Sequence, residues 1–363
     1  GSADMGSFMR EWTALYESKS GERGIFNRQA AQQQAAKYGR RDSSIDYGTN
    51  PCSEIILRPK QFCNLSEVVV RAEDTPETLQ RKVELATILG TIQSCFTDFK
   101  GLSRQWMRNT EEERLLGVSL TGILDSKMMT NQTNDSLPAL LSNLRLTAVS
   151  TNRKWSKYLG IEPSAAITCV KPSGTVSQLV DAASGIHPRH SSYYIRTVRA
   201  DKKDPLTKFM TEKGFPVEDE LLKPQSMSVF SFPVKAPKGA LTRDKLSAID
   251  HLKIWQVYSA HWCEHKPSIT VSVQENEWME VGSYVHKNFN HMSGISFLPM
   301  SEHTYKQAPY QDSTKEEYES LLKRMPENID WQSLSEYEED DNTHGSQTLN
   351  CTGDVCEIVD LVQ

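Results

Sequence analysis

From Ser268 to Leu298 the sequence changes its period twice, and that change restricts the fold more than any other feature. Ser268-Ile269-Thr270-Val271-Ser272-Val273 alternates strictly, which is the period of a strand. Residues 275–289 then read as helix, and Ile295-Ser296-Phe297-Leu298 reads as a second strand. Strand, helix and strand in that order suit a right-handed parallel crossover, and parallel strands need helices to cover the sheet. Upstream signals agree. Thr75 predicts an N-cap, with Pro76 at the first helical position and Glu77 near the positive helix end. Leu79, Val83, Ala86, Leu89, Ile92, Cys95 and Phe99 then predict one buried helix face. Residues 137–158 read as a second helix and 165–170 as a strand buried on both faces. Residues 193–198 and 228–234 are further strands. A helix after Thr242 places Leu246, Ile249, Leu252, Trp255, Tyr258 and Trp262 on one side. The middle of the chain is therefore α/β with a mostly parallel sheet and no internal repeat.

The two ends differ from this pattern. Residues 1–47 are polar and rich in Gln, Arg and Ser, with one helical candidate at 29–38 and no core of their own. After Pro309 the chain turns acidic, with Glu336, Glu338, Glu339, Asp340 and Asp341 in one block of the kind that stays solvated. The overall charge is −6, from 41 Lys and Arg against 47 Asp and Glu, which argues against gripping nucleic acid. No apolar run approaches the roughly 18 residues of a membrane span. Seven cysteines are too few and too scattered for a disulfide framework, so a reducing, cytoplasmic setting is expected and individual thiols are open to chemistry.

Three clusters could carry that chemistry. In Asn50-Pro51-Cys52-Ser53-Glu54 the prolines Pro51 and Pro59 exclude helix, and an extended backbone would put Asn50, Cys52 and Glu54 on one side. An amide, a thiol and a carboxylate on one rim could bind a hydroxylated substrate, abstract an atom and exchange its proton. Free cysteines, however, are commonly buried as small hydrophobes. Cys63 follows eleven residues beyond Cys52. The second cluster, Lys171-Pro172-Ser173-Gly174-Thr175, lies between an apolar strand and a helix candidate at 176–180. Backbone N–H groups and hydroxyls converging there suit a phosphate, although a capped turn would read the same way. It is not a GxxxxGK[ST] loop. The third is Cys351-Thr352-Gly353-Asp354-Val355-Cys356, where Gly353 lets two thiols approach for electron transfer. The cysteine spacings are poor for zinc, so no metal is expected. His261 and His265 sit four apart on a predicted helix, at its surface or the core edge. Neither a GxGxxG fingerprint nor an Asp-x-His-x-x-Gly cobalamin segment occurs.

Together these motifs resemble the ribonucleotide reductases, most closely the adenosylcobalamin-dependent, monomeric triphosphate-reductase type. The likeness runs from about Gly24 to the end. It rests on Asn50-Pro51-Cys52-Ser53-Glu54, Phe62-Cys63-Asn64-Leu65-Ser66-Glu67-Val68, Lys171 to Thr175, Gly185-Ile186-His187-Pro188 and the terminal C-x4-C. The resemblance implies a finger loop inside a ten-stranded α/β barrel. Cys52 would carry a thiyl radical that takes the ribose 3′ hydrogen, Glu54 would act as base on the 3′-hydroxyl, and Asn50 would bond the ribose hydroxyls. Cys63 would be one of two reducing thiols, and Pro172, Ser173, Gly174 and Thr175 would hold the substrate phosphates. Cys351 and Cys356 would re-reduce the site and be recharged by a thioredoxin-like protein. The implied substrate is a ribonucleotide and the implied cofactor is adenosylcobalamin, with neither nucleic acid nor membrane as partner.

The family's other reducing cysteine lies well upstream of the finger loop, whereas the 51 residues before Cys52 contain none. The chain is thus expected to be the C-terminal part of such an enzyme and to need an N-terminal half. Residues 1–47 would be a connecting segment, 48–310 the finger loop and second half-barrel, 311–350 an acidic linker and 351–363 a flexible redox tail. Two other readings are a catalytically silent nucleotide-binding subunit and a dithiol oxidoreductase without radical chemistry. The redox tail is open to direct test in the assembled enzyme. Replacing Cys351 and Cys356 by Ser should block repeated turnover with thioredoxin, yet permit a single turnover from a pre-reduced site. Normal cycling of the double variant would contradict the shuttle.

Overall fold

The structure is a computed structural model that describes residues 3–21, 24–133, 135–300, 306–338, 347–352 and 355–360, the last two stretches by backbone alone. In chain order the first elements are α1 (Met5–Ser18), β1 (Gly24–Ile25), α2 (Arg28–Ala36), β2 (Gly48–Thr49), β3 (Ile56–Leu57), β4 (Asn64–Val69), α3 (Pro76–Gln93) and α4 (Arg104–Glu113). Next come β5 (Leu116–Thr121), α5 (Lys127–Thr130), α6 (Ser136–Leu159), β6 (Thr168–Cys169), α7 (Val176–Leu179), β7 (Tyr193–Asp201), α8 (Pro205–Glu212), β8 (Val217–Asp219) and β9 (Met227–Lys235). The last are α9 (Ala248–His261), β10 (Thr270–Val273), α10 (Trp278–Lys287), β11 (Ile295–Pro299), β12 (Tyr310–Asp312), α11 (Lys315–Lys323), β13 (Gln347–Thr352) and β14 (Val355–Asp360).

The frame is an array of parallel strands. β4 pairs with β5 and β5 with β6, both parallel, and β10 pairs parallel with β11. A parallel bridge from Val170 to Pro267 joins the two groups, giving the order β4-β5-β6-β10-β11, with β1 antiparallel on the far edge. The β10-α10-β11 crossover is the one that the change of period predicts. β5 is buried along its whole length, as a central strand with both faces covered must be. This array with its helices is the second half-barrel expected from the sequence. The expected strand at 165–170 is shorter, with a ladder at Thr168 and Cys169 only.

The long strands β7 and β9 lie outside this array. They pair antiparallel over their full lengths, and β12 and β8 flank them in a four-stranded sheet. The sheet is thus mostly parallel only in the barrel part. β7 is only half covered, a burial pattern that an antiparallel sheet tolerates. Within the stretch read as linker, β12 and α11 pack on this sheet, with Leu321 buried and Tyr318 against Tyr193. Glu339, Asp340 and Asp341 lie outside the described residues.

Local sequence explains most boundaries. Thr75 and Thr78 close a reciprocal capping box at the start of α3. α9 starts later than expected, capped by Ser247, because Thr242 opens a separate 3-10 turn. The buried face of α3 also differs from the expected one. Leu79, Val83 and Ala86 are buried, but the face continues through Thr87, Gly90 and Thr91. Leu89, Ile92 and Cys95 point outward, and Phe99 lies beyond the helix against Phe62. The hydroxyls of Thr87 and Thr91 donate to the carbonyls of Val83 and Thr87, so these polar residues enter the core already satisfied.

The polar N-terminal stretch contributes an unexpected anchor. Asp4 caps α1 by accepting from the Gly6 and Ser7 amides, and Phe8, Trp12 and Leu15 enter the main core. Trp12 donates to the Trp278 carbonyl at 3.1 Å and meets Phe297 edge-on. Trp12→Ala is expected to destabilise the fold by about 3–5 kcal/mol, whereas Leu89→Ser should shift it by less than about 0.5 kcal/mol. Chemical denaturation of both variants checks this pair of values; equal losses would contradict the assigned α3 face.

Candidate active site

β2 and β3 form a short hairpin, with Gly48 opposite Leu57 and Thr49 opposite Ile56, and its tip carries residues 50–55. Asn50 clasps the tip. Its backbone N–H donates to the Ile55 carbonyl, its Oδ1 accepts from the Ile55 amide at 3.0 Å, and its carbonyl accepts from Ser53. Ser53 is left-handed, at φ +68°. The extended arrangement expected for Asn50, Cys52 and Glu54 is therefore replaced by a turn, because Ser53 breaks the alternation between Cys52 and Glu54. Cys52 and Ser53 line a cavity of about 240 Å³ with Phe26, Ser268, Gly294 and Ile295. Glu54 is fully buried, and no protein donor reaches either carboxylate oxygen.

The segment entering β10 holds this tip from below, and sequence reasoning missed it. Ser268 Oγ donates to the Cys52 carbonyl at 2.7 Å, and the Lys266 amide donates to the Glu54 carbonyl at 3.2 Å. Lys266 is 1% exposed, and its Nζ donates to both the carbonyl and the hydroxyl of Ser53. His265 is not on a helix, since α9 ends at His261; it is fully buried. Its Nδ1 accepts from the Ile56 amide at 3.3 Å, which leaves Nε2–H to donate to the Leu116 carbonyl. Burial pushes His265 down to about 3, so it is a neutral structural strut. Only the alternation at 268–273 marked this region, and alternation says nothing about what precedes the strand.

Glu54 lies within electrostatic range of three thiols. Burial first, and then the Glu54 charge, push the Cys52 thiol up, against a smaller downward pull from Lys171. Cys63, just before β4, and Cys169, on β6, are raised by the same two causes in the same order. Cys169 also feels Cys63, so one carboxylate acts electrostatically on the thiols of Cys52, Cys63 and Cys169. All three stay protonated at neutral pH. That favours S–H chemistry over attack by a thiolate.

The Lys171 to Thr175 turn opens off the same interior. The Lys171 amide donates to Ser119 Oγ on β5, and Ser173 is buried in a left-handed conformation at φ +42°. Gly185 packs against it so closely that a Cβ would lie 2.3 Å from the Lys171 carbonyl oxygen. The helix that follows, α7, has four residues and no side-chain cap from Thr175, so it is shorter than expected. Ser173 faces Glu67, a β4 carboxyl that burial raises. His187, from the Gly185-Ile186-His187-Pro188 motif, accepts from the Thr270 amide at Nε2 and so ties this turn to β10. Cys351 and Cys356 stand directly opposite each other in the β13–β14 hairpin; their side chains lie outside the described residues. Among the described residues no cluster of His, Cys, Asp or Glu could hold a metal ion, and no helix is long and apolar enough to cross a membrane.

No family model matches the chain. Curated proteins do. The adenosylcobalamin-dependent ribonucleoside-triphosphate reductase of Euglena gracilis is 27% identical over 337 residues, covering 92% of this chain and 45% of the relative. That of Lactobacillus leichmannii is 27% identical over 94% of this chain and 50% of the relative. The chain resembles the C-terminal part of these reductases. It spans about half the length of the curated relatives it matches. The fold agrees: a crystal structure of a B12-dependent (class II) ribonucleotide reductase superimposes with a TM-score of 0.75 at 24% identity, over 92% of this chain and 50% of that one. The Actinobacillus ureae class Id ribonucleotide reductase alpha subunit gives 0.53 at 16% identity, over 81% and 61%.

The thiol electrostatics give a test that needs no turnover. Alkylation of Cys52 by iodoacetamide, followed at its own peptide by mass spectrometry, should titrate above the usual thiol value of about 8.5. Glu54→Gln removes the neighbouring charge and should lower that midpoint. An unchanged midpoint would place the carboxylate outside the site.

Proposed function

We propose that this chain supplies the finger loop and second half-barrel of an enzyme that reduces ribonucleoside triphosphates to 2′-deoxyribonucleotides. One observation carries the reading: a fully buried carboxylate with no protein donor, at the loop tip that also carries the cavity-lining thiol of Cys52. Buried polar groups are hydrogen-bonded, so an orphaned carboxylate suits a ligand hydroxyl.

In this reading Cys52 as thiyl takes the hydrogen atom from ribose C3′, becomes a thiol, and at the end of the reaction gives that hydrogen back to C3′, which regenerates the thiyl. Glu54 accepts the 3′-hydroxyl proton, and the 2′-hydroxyl departs as water. Cys63 and a second thiol supply two electrons and two protons, leaving a disulfide, so nucleotide plus dithiol gives deoxynucleotide, disulfide and water. Asn50 has committed its Oδ1 to Ile55 and therefore serves the ribose as a donor through Nδ2. Pro172, Ser173, Gly174 and Thr175 hold the phosphates. Cys351 and Cys356 return the disulfide to dithiol and are recharged by a thioredoxin-like protein in the cytoplasm. An N-terminal half completes the barrel.

Adenosylcobalamin, when bound, supplies the radical equivalent that Cys52 uses. The residues present suit one wall of such a site. Phe26 is 41% exposed beside the Cys52 cavity, Ile295 adds apolar surface, and Gly24 presents bare backbone there. These side chains would exclude water from the thiol.

In the assembled enzyme Cys52→Ala should abolish reduction while circular dichroism stays unchanged, since radical abstraction needs the sulfur itself. Glu54→Gln should keep nucleotide affinity and slow the chemical step by roughly 10²–10⁴-fold. Activity of Cys52→Ala above a few per cent of wild type would overturn the thiyl assignment.

A further inference from the structure

Lys266 has a position that the reaction outlined above does not use. A lysine with about 1% exposure carries a large desolvation cost, and a neutral side chain could fill the same space. The protein nevertheless reserves room for this ammonium. A Cβ at Gly294 would come within 2.7 Å of Lys266 Nζ and 2.6 Å of Ser53 Oγ. Nζ has two acceptors, both on Ser53, the residue that separates Cys52 from Glu54. Burial pushes Lys266 down to about 8, against the opposing pull of the Glu54 charge.

Glu54 is the complementary half of the problem. Its carboxylate is fully buried without a protein donor, and such a group takes up a proton unless a counter-charge holds it ionised. The other groups around it do not serve. Cys52, Cys63 and Cys169 carry no charge at neutral pH, and Cys263, raised well above its ordinary value, carries none either. Arg41 is held by both oxygens of Glu113 at 2.9 Å. Lys171 is only half buried, and its field reaches Cys52 and Glu67. Lys266 is the remaining cation: it is buried beside Glu54, its amide donates to the Glu54 carbonyl, and Glu54 acts electrostatically on its ammonium.

We infer that Lys266 is a positioning residue that keeps Glu54 ionised and pins the loop tip between Cys52 and Glu54. The inference deepens the reading of Glu54 as a base and rests on it for its catalytic meaning, but its test reads Glu54 directly. Infrared difference spectra of the 363-residue chain near pH 7 report protonated carboxyl groups. Lys266→Met should add one protonated-carboxyl band relative to wild type, and that band should vanish in Lys266→Met/Glu54→Gln. Lys266→Gln keeps a donor for Ser53 without the charge and should show the same band; it also answers the question if the Met variant does not fold. Lys266→Arg, which keeps the charge, should not show it. Absence of the band from both neutral variants would overturn the inference and leave Lys266 a structural clamp. In the assembled enzyme, the Met variant should lose kcat with little change in KM. A band that appears while turnover is unaffected would uphold the role of Lys266 and instead overturn that of Glu54 as base.

Discussion

The site depends on how the loop tip at residues 50–55 is gripped by the segment that enters β10. Ser268 holds the Cys52 carbonyl, Lys266 holds Ser53 and the Glu54 carbonyl, and His265 holds Ile56. These contacts join residues more than two hundred positions apart in the chain. The parallel bridge between Val170 and Pro267 places the same segment beside β6, so the barrel wall and the loop are fixed together. A two-stranded hairpin of this size has little stability alone. Its geometry is imposed from outside, as the left-handed Ser53 at its tip requires.

The grip also sets the electrostatics. Burial raises the thiols of Cys52, Cys63 and Cys169, and the Glu54 charge adds to the rise, an arrangement that suppresses thiolate chemistry. A hydrolase or a thiol transferase would need the opposite, a depressed thiol beside a cation or at a helix N-terminus. A protonated thiol on the same loop tip as a buried carboxylate is what the proposed radical abstraction from a hydroxyl-bearing carbon would use.

What could be read in the sequence was local. The Thr75-Pro76 cap, the strand-helix-strand order of 268–298 and the Asn50 to Glu54 motif each lie within one short window, and neighbouring residues suffice to fix them. Where tertiary contacts decide, sequence reading failed in identifiable ways. Thr87, Gly90 and Thr91 took the buried face of α3 from larger apolar residues: the two threonine hydroxyls bond back to the helix, and Gly90 packs directly under Leu116. Phe8, Trp12 and Leu15 were too few to mark α1 as a core helix, yet all three enter the main core, where Trp12 meets Trp278 and Phe297. Lys266 gave no periodic signal, and Ser268 was marked only as the start of an alternating strand, since the importance of both arises only when the hairpin tip folds over them. The left-handed Ser53 likewise follows from the Asn50 clasp, not from any preference of serine.

The likeness to adenosylcobalamin-dependent ribonucleoside-triphosphate reductases covers nearly all of this chain and about half of each relative. The central claim concerns the atom that Cys52 removes. It is tested most directly in the enzyme assembled with an N-terminal half, by comparing a ribonucleoside triphosphate with its 3′-deuterated form and quantifying deoxynucleotide. Abstraction at C3′ predicts slower product formation from the deuterated nucleotide, and no product from either when Cys52 is alanine. Sustained product from the Cys52→Ala enzyme, with equal rates for the two nucleotides, would contradict it.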